Sequence, residues 1–158
     1  MAISSKMRKA AEATMETRIV PIDNPTRAIW HAVADPLSRY NKERVGQPAN
    51  HQTLVLALQG VGFNTIGGMW GAIAYANLHI EMLFVPAELR NQGFGSRLLQ
   101  LAEQEATRRG CHSAWVETYS FGAPAFYEHR GYVRFGELHD HPIGHSRIFL
   151  RKALTTTV

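Results

Sequence analysis

The chain has 158 residues, of which 45% are apolar and 19% charged, with a formal net charge of +4. Such a balance excludes a disordered polyelectrolyte, and no apolar run approaches the roughly 20 residues of a membrane-spanning helix. The lone cysteine, Cys111, excludes an internal disulfide. A chain of this size buries about two-thirds of its unfolded surface in one core, so a single domain over residues 18–153 is expected, between an N-terminal arm (1–17) and a short tail (154–158). The positive residues are scattered, without a basic stripe interleaved by aromatics, which argues against a nucleic-acid partner. Charges in residues 1–18 interrupt what a signal peptide needs as an apolar core, so a cytoplasmic location and no membrane contact are expected.

Residues 18–22 read as a short first strand, and Asn24-Pro25 opens a helical region in which Ala28, Ile29, Ala32 and Val33 recur at helical spacing. Pro36 is expected to divide that region into two helices, because it has no amide donor and crowds the preceding turn. A polar loop over residues 46–52 leads into three strands, at 52–59, 69–76 and 78–85. A helix over 93–109 places Phe94, Leu98, Leu101 and Ala102 on one face, with Gly110 at its C-terminal cap. A strand at 114–117, a short helix at 123–129 and strands at 132–138 and 147–152 complete the chain. This order predicts an α+β, or mixed α/β, layer architecture.

The segment from Leu83 to Ser96 carries the strongest chemical signal, because an apolar strand runs through a short turn into a glycine-bearing helix start. Gly93 and Gly95 let backbone approach a ligand, and the free N–H groups of a first helical turn favour an anion. A dinucleotide fingerprint would need a third glycine where Leu98 stands. A nucleoside-triphosphate loop would need Gly-Lys-Ser/Thr where the chain has Gly95-Ser96-Arg97.

Arg90-Asn91-Gln92-Gly93-Phe94-Gly95 instead fits (Arg/Gln)-x-x-Gly-x-(Gly/Ala), and here the chain resembles the GNAT superfamily of acetyl-CoA-dependent N-acetyltransferases. The stretch from Ala123 to Tyr132 is similar to that family's second signature, an aromatic-Tyr pair ahead of Gly-aromatic. The resemblance implies a central, mostly antiparallel twisted sheet of about six to seven strands flanked by helices. It also implies acetyl-CoA as co-substrate, its pyrophosphate held by Arg90, Asn91, Gln92, Gly93, Phe94, Gly95 and Ser96, and its pantetheine arm lying along the backbone of Leu83, Phe84 and Val85. The family often has an Asn touching the coenzyme where this chain has Ser120.

An alkylamine with a pKa near 10.4 is neutral in only roughly one molecule in 2,500 at pH 7. An acetyltransferase therefore removes a proton from the amine, stabilises an oxyanion and supplies a proton to the departing thiolate. Through the resemblance Tyr127 takes the last role, since a phenol is protonated at neutral pH. For the base, strand alternation predicts that His79, Glu81, Leu83 and Val85 share one face. Glu81 is the expected base, acting through water or with a raised pKa, and Glu117 is the alternative. Trp70, His79, Glu117 and Tyr119 are expected to shape the acceptor site. His139, Asp140, His141 and His145 fall in a Gly/Pro loop between two strands and read as a solvated hairpin, so no metal site is expected.

The expected reaction is transfer of the acetyl group to a primary amine of a small molecule by direct attack in a ternary complex. A protein lysine or N-terminus as acceptor, and a coenzyme A-binding module without catalysis, are the alternatives. The co-occurrence of Glu81 and Tyr127 argues against the second of these. A homodimer is compatible with any of the three.

Overall fold

Alternating buried and exposed residues shape three consecutive strands, β1 (Gln52–Gln59), β2 (Thr65–Ala74) and β3 (Asn77–Phe84), which pair antiparallel. Helix α2 (Phe94–Arg108) crosses to β4 (Ser113–Tyr119), which lies parallel to β3. A five-residue helix α3 (Pro124–Glu128) then precedes the antiparallel pair β5 (Val133–Leu138) and β6 (Arg147–Ala153), with β6 pairing also with β4. The result is one six-stranded sheet in the order β1-β2-β3-β4-β6-β5, antiparallel except between β3 and β4. This is the α+β architecture expected from the order of elements. The computed structural model describes residues 17–154, so the arm before Thr17 and the tail after Leu154 lie outside the described residues.

One helix face makes the core. Leu98, Leu99, Ala102 and Ala106 of α2 are its buried residues, and the helix lies on Leu54, Met69, Leu78, Ile80, Ala114, Val116 and Leu150 of the sheet. Fully burying one such leucine is worth roughly 1.5–3 kcal/mol, so this face holds the helix in place and with it the loop that precedes it. At the other end of α2, Arg109 bonds both the Glu105 carboxylate at 2.7 Å and the Thr53 carbonyl at 3.1 Å, tying the helix to β1. Arg108 and Arg109 together hold the Glu105 carboxyl down at about 2.

Two local departures in the sheet matter for function. Trp70 pairs with Met82 while Gly71 pairs with Ile80, so Glu81 is an extra residue without a partner on β2, a β-bulge. The bulge reverses the alternation: Leu78 and Ile80 are fully buried before it and Leu83 packs on the same core after it. The expectation of one shared face for His79, Glu81, Leu83 and Val85 is therefore corrected, because His79 lies opposite Leu83. In addition, β3 and β4 pair only from Asn77 to Ile80 and from Ser113 to Val116. Beyond that point β3 stays with β2 and β4 stays with β6, so the sheet splits.

Of the described residues, 17–41 form a compact unit of their own. Residues 18–22 make no strand: Pro21 lacks an amide donor, and Ile19, Val20 and Ile22 are exposed. Pro36 does not divide the helical region, which is a single helix α1 (Arg27–Val45). Thr26 opens it by accepting the Ile29 N–H at 3.4 Å, and Gly46 closes it through a 2.8 Å bond to the Lys42 carbonyl. The loss of one backbone bond at Pro36 is tolerated where the rest of the ladder continues on both sides. No residue of α1 is buried.

Candidate active site

Where β3 and β4 part, a cleft of about 780 Å³ opens. One wall is the end of β3 and its turn, Leu83, Phe84 and Val85; the opposite wall is Thr118 and the turn Phe121-Gly122-Ala123. The floor is the start of α2 with Phe126, Tyr127 and Arg130. The split explains the cleft directly: residues 81–84 of β3 have no ladder to β4, so their edge on that side keeps backbone groups available to a ligand.

The loop into α2 leaves backbone donors exposed. Gly93 takes the left-handed conformation (φ 84°, ψ −4°), and no side chain caps the first turn of α2. Free N–H groups and the positive end of the helix dipole therefore meet at the cleft. A Cβ on Gly95 would stand 3.3 Å from the Phe126 ring, so glycine here lets α3 close on α2 while keeping that wall bare. Arg90 is held by its Nε donating to the Val85 carbonyl at 3.1 Å. Gln92 turns away to donate to the Glu88 carbonyl at 2.9 Å and does not line the cleft.

Arg130 is the most telling residue that the sequence reading passed over. Its guanidinium lies 3.8 Å from the Phe126 ring centroid and donates to the Phe126 carbonyl at 2.7 Å and to the Ser96 hydroxyl. Two arginines thus line a cleft whose wall contains no Asp or Glu. A polyanion is the complementary ligand. The signal was present in the motif, since Arg130 follows Tyr127 by three residues and so reaches the same helix end. Phe126, Thr118, Phe121 and Leu89 also line the cleft without having been singled out.

Tyr127 is 6% exposed, packed edge-on against Phe126 and Tyr132 at 5.0 and 5.7 Å between ring centroids. Burial pushes its phenol up to about 12, because the phenolate would lose its hydration. The group is therefore a neutral hydrogen-bond donor on the cleft wall at every physiological pH.

The remaining expected site residues fall outside the cleft lining. Glu81, His79 and Glu117 lie just where the strand pairing ends. His79 stacks on Trp115 with centroids 3.7 Å apart and bonds Glu117 through Nε2 at 3.0 Å, and its Nδ1 is 4.0 Å from the Glu81 carboxylate. Arg147 donates to the other oxygen of Glu117. Tyr119 stacks on Phe121 at 5.0 Å, which places it behind the cleft wall, and half-exposed Trp70 lies on β2 opposite Met82. Ser120 bonds Ser146 in both directions, its hydroxyl accepting at 3.1 Å and its N–H donating at 2.8 Å, so it pins the loop between β5 and β6. Cys111 is buried at the far end of α2, where burial pushes its thiol up and away from nucleophilic use.

Comparison with known proteins shows the family. The acetyltransferase (GNAT) family matches residues 18–132. An acetyltransferase of Agrobacterium fabrum is 35% identical over 121 residues, spanning 77% of this chain and 88% of its own length. A blasticidin-S acetyltransferase of Streptomyces morookaense is 39% identical over 89 residues, spanning 56% of this chain and 65% of its own. A crystal structure from Agrobacterium tumefaciens superposes with a TM-score of 0.80 at 32% identity, covering 87% of this chain and 99% of that one. The chain belongs to the acetyltransferase (GNAT) family. It is an acyltransferase, and its reaction is acetyl transfer. Among the described residues no helix is long and apolar enough to cross a membrane.

Proposed function

We propose that the enzyme transfers the acetyl group of acetyl-CoA to a primary amine of a small molecule, by direct attack in a ternary complex. Membership of the family makes acetyl-CoA the co-substrate. The observation that carries the reading is the cleft itself: a split between β3 and β4 that leads to an uncapped helix start, with two arginines and no acid on its wall. Its turn from Asn91 to Ser96 suits the pyrophosphate, and the open edge of Leu83 to Val85 suits the amides of the pantetheine arm. Ser120 has no part in this reading, since its N–H and hydroxyl oxygen bond Ser146 and it does not line the cleft.

The chemistry follows from that placement. The amine gives up a proton toward Glu81, whose position in the bulge frees it from strand pairing at the mouth of the split. The neutral nitrogen attacks the acetyl carbon, and an unpaired backbone N–H of the β3 edge stabilises the oxyanion. As the C–S bond breaks, Tyr127 donates a hydrogen bond to the thiolate. A nucleophilic cysteine is not needed, and Cys111 is buried away from the cleft.

A small-molecule acceptor is favoured by the relative that carries the name blasticidin-S acetyltransferase. On this reading the whole reaction takes place on residues 18–153, which include the family match over 18–132, and calls for neither a nucleic-acid nor a membrane partner. A thiol-release assay with acetyl-CoA against antibiotics, polyamines, amino acids and lysine peptides tests the proposal. Turnover of free amines above that of peptides supports it; turnover of peptides alone, or coenzyme binding without turnover of any amine, overturns it.

A further inference from the structure

The four side chains Glu81, His79, Glu117 and Arg147 form a continuous line across β3, β4 and β6 at the point where the sheet splits. We infer that His79, and not Glu81, is the group that holds the proton removed from the amine, with Glu117 as the residue that positions it. This rests on the acetyl-transfer reading above and deepens it.

The tautomer follows from the partners. An ionised Glu117 can only accept, so the 3.0 Å contact to Nε2 places the imidazole's proton on Nε2. Nδ1 is then the unprotonated nitrogen, and it is the one that faces Glu81 at 4.0 Å. That distance is too long for a direct hydrogen bond, so the proton crosses when the two side chains close up or a solvent molecule relays it. Glu117 is itself oriented by Arg147, and the flat stack on Trp115 fixes the ring plane, with an interplanar angle of 3°. A carboxylate fixing the tautomer and direction of an imidazole base is the arrangement that histidine-based catalysis uses.

Energetics favours the imidazole as the end of the relay. A carboxylate of ordinary pKa near 4.3 holds a proton poorly at pH 7, whereas an imidazole, near 6.5, titrates close to neutrality. The balance is simple. The ammonium releases one proton through Glu81 to Nδ1, and the neutral nitrogen forms the C–N bond as the C–S bond breaks. The amide nitrogen then loses its second proton, the thiolate takes up one, and the imidazolium returns its own to solvent, which reaches His79 because its side chain is 24% exposed. The net yield is the amide, the free thiol and one proton. The charged groups that face His79 are Glu81 on its own strand and Glu117 on β4, with Arg147 beyond and Arg151 on β6 beside Trp115. From β2 its neighbour is Ala72, which carries no charge.

The test is the pH profile of kcat/KM, taken with two amines of different basicity. An inflection owned by the amine moves with the amine, and one owned by His79 does not. His79→Gln should lower kcat/KM near neutral pH by about a hundredfold and abolish the stationary inflection. Glu117→Gln should keep a stationary inflection but move it to lower pH, because the imidazolium loses its counter-charge while Arg147 stays. Should His79→Gln fail to fold, NMR of the wild-type imidazole nitrogens gives the tautomer directly, with Nε2 protonated and Nδ1 bare expected. A stationary inflection that survives in His79→Gln, an unmoved one in Glu117→Gln, or a proton on Nδ1 overturns the assignment. Wild type that binds acetyl-CoA but acetylates no amine would instead overturn the acetyl-transfer reading on which it rests.

Discussion

Tyr127→Phe keeps the ring between Phe126 and Tyr132 and removes one oxygen, so it isolates what the hydroxyl does. Burial has raised the phenol to about 12. Passing its proton to a thiolate whose acid has a pKa of about 8.5 is then uphill by roughly 5 kcal/mol. Full transfer is a poor role for such a group, and a hydrogen bond to the developing thiolate is a good one. A hydrogen bond to a charged partner is worth roughly 1.5–3 kcal/mol, which corresponds to about a 10- to 150-fold fall in kcat. Coenzyme A affinity should change little, because the bond forms only as charge appears on sulfur. Stability should stay within about 1 kcal/mol, since no hydrogen bond to the hydroxyl is lost among the described residues. Steady-state thiol release at saturating amine, together with calorimetric titration of coenzyme A, reads both quantities. A kcat within twofold of wild type would make Tyr127 a packing residue, and a loss beyond about a thousandfold would make it the proton donor after all.

Three further outcomes follow from the same site. Because the native state holds the Tyr127 proton more tightly than the unfolded chain does, stability is full below about pH 10 and falls as pH rises through about 12, by roughly 3 kcal/mol from this group. Tyr132, also pushed up by burial, adds to that loss, and urea titrations from about pH 9 to 12 should show a shallower decline in Tyr127→Phe than in wild type. Gly95→Val drives a branched side chain against the Phe126 ring, where even a Cβ stands at 3.3 Å, so coenzyme A affinity should fall by about tenfold or more, with roughly 1–3 kcal/mol of stability lost to overpacking. Unchanged affinity in a folded Gly95→Val protein would displace the anion site from this turn. Arg130→Gln removes one of two cations from the cleft, so coenzyme A should bind about five- to thirtyfold more weakly at low salt and with a flatter salt dependence, kcat being preserved. Equal affinities at low salt would leave Arg130 with only its packing on Phe126.

Periodicity and local chemistry were enough to read most elements within a few residues. The β1 span and the α2 face that carries Leu98 and Ala102 are set by neighbours close in sequence, as is the glycine turn at Gly93. The two signatures likewise pointed to residues that the structure gathers on one cleft, Gly93 to Ser96 and Tyr127, because each is a short run whose members stay close in space. Where the reading departed from the structure, longer-range physics intervened. A hydrophobic pattern cannot reveal the bulge at Glu81, since the extra residue exists only relative to the register of β2, and so the alternation from His79 to Val85 was misjudged. Residues 18–22 had the composition of a strand, but a strand needs a partner with which to exchange hydrogen bonds, and these have none among the described residues. Nor does local propensity forbid a helix from running through Pro36, because one lost bond is outweighed by a ladder intact on both sides. The line from Glu81 through His79 to Glu117 and Arg147 joins residues up to 68 positions apart in sequence, from 79 to 147. Glu81, His79 and Glu117 could be picked out one by one from their own strands, but no single segment shows that they meet or that Arg147 joins them. Only the parallel pairing of β3 with β4, and its end at Ile80 and Val116, brings their charges within reach of one another and opens the cleft beside them.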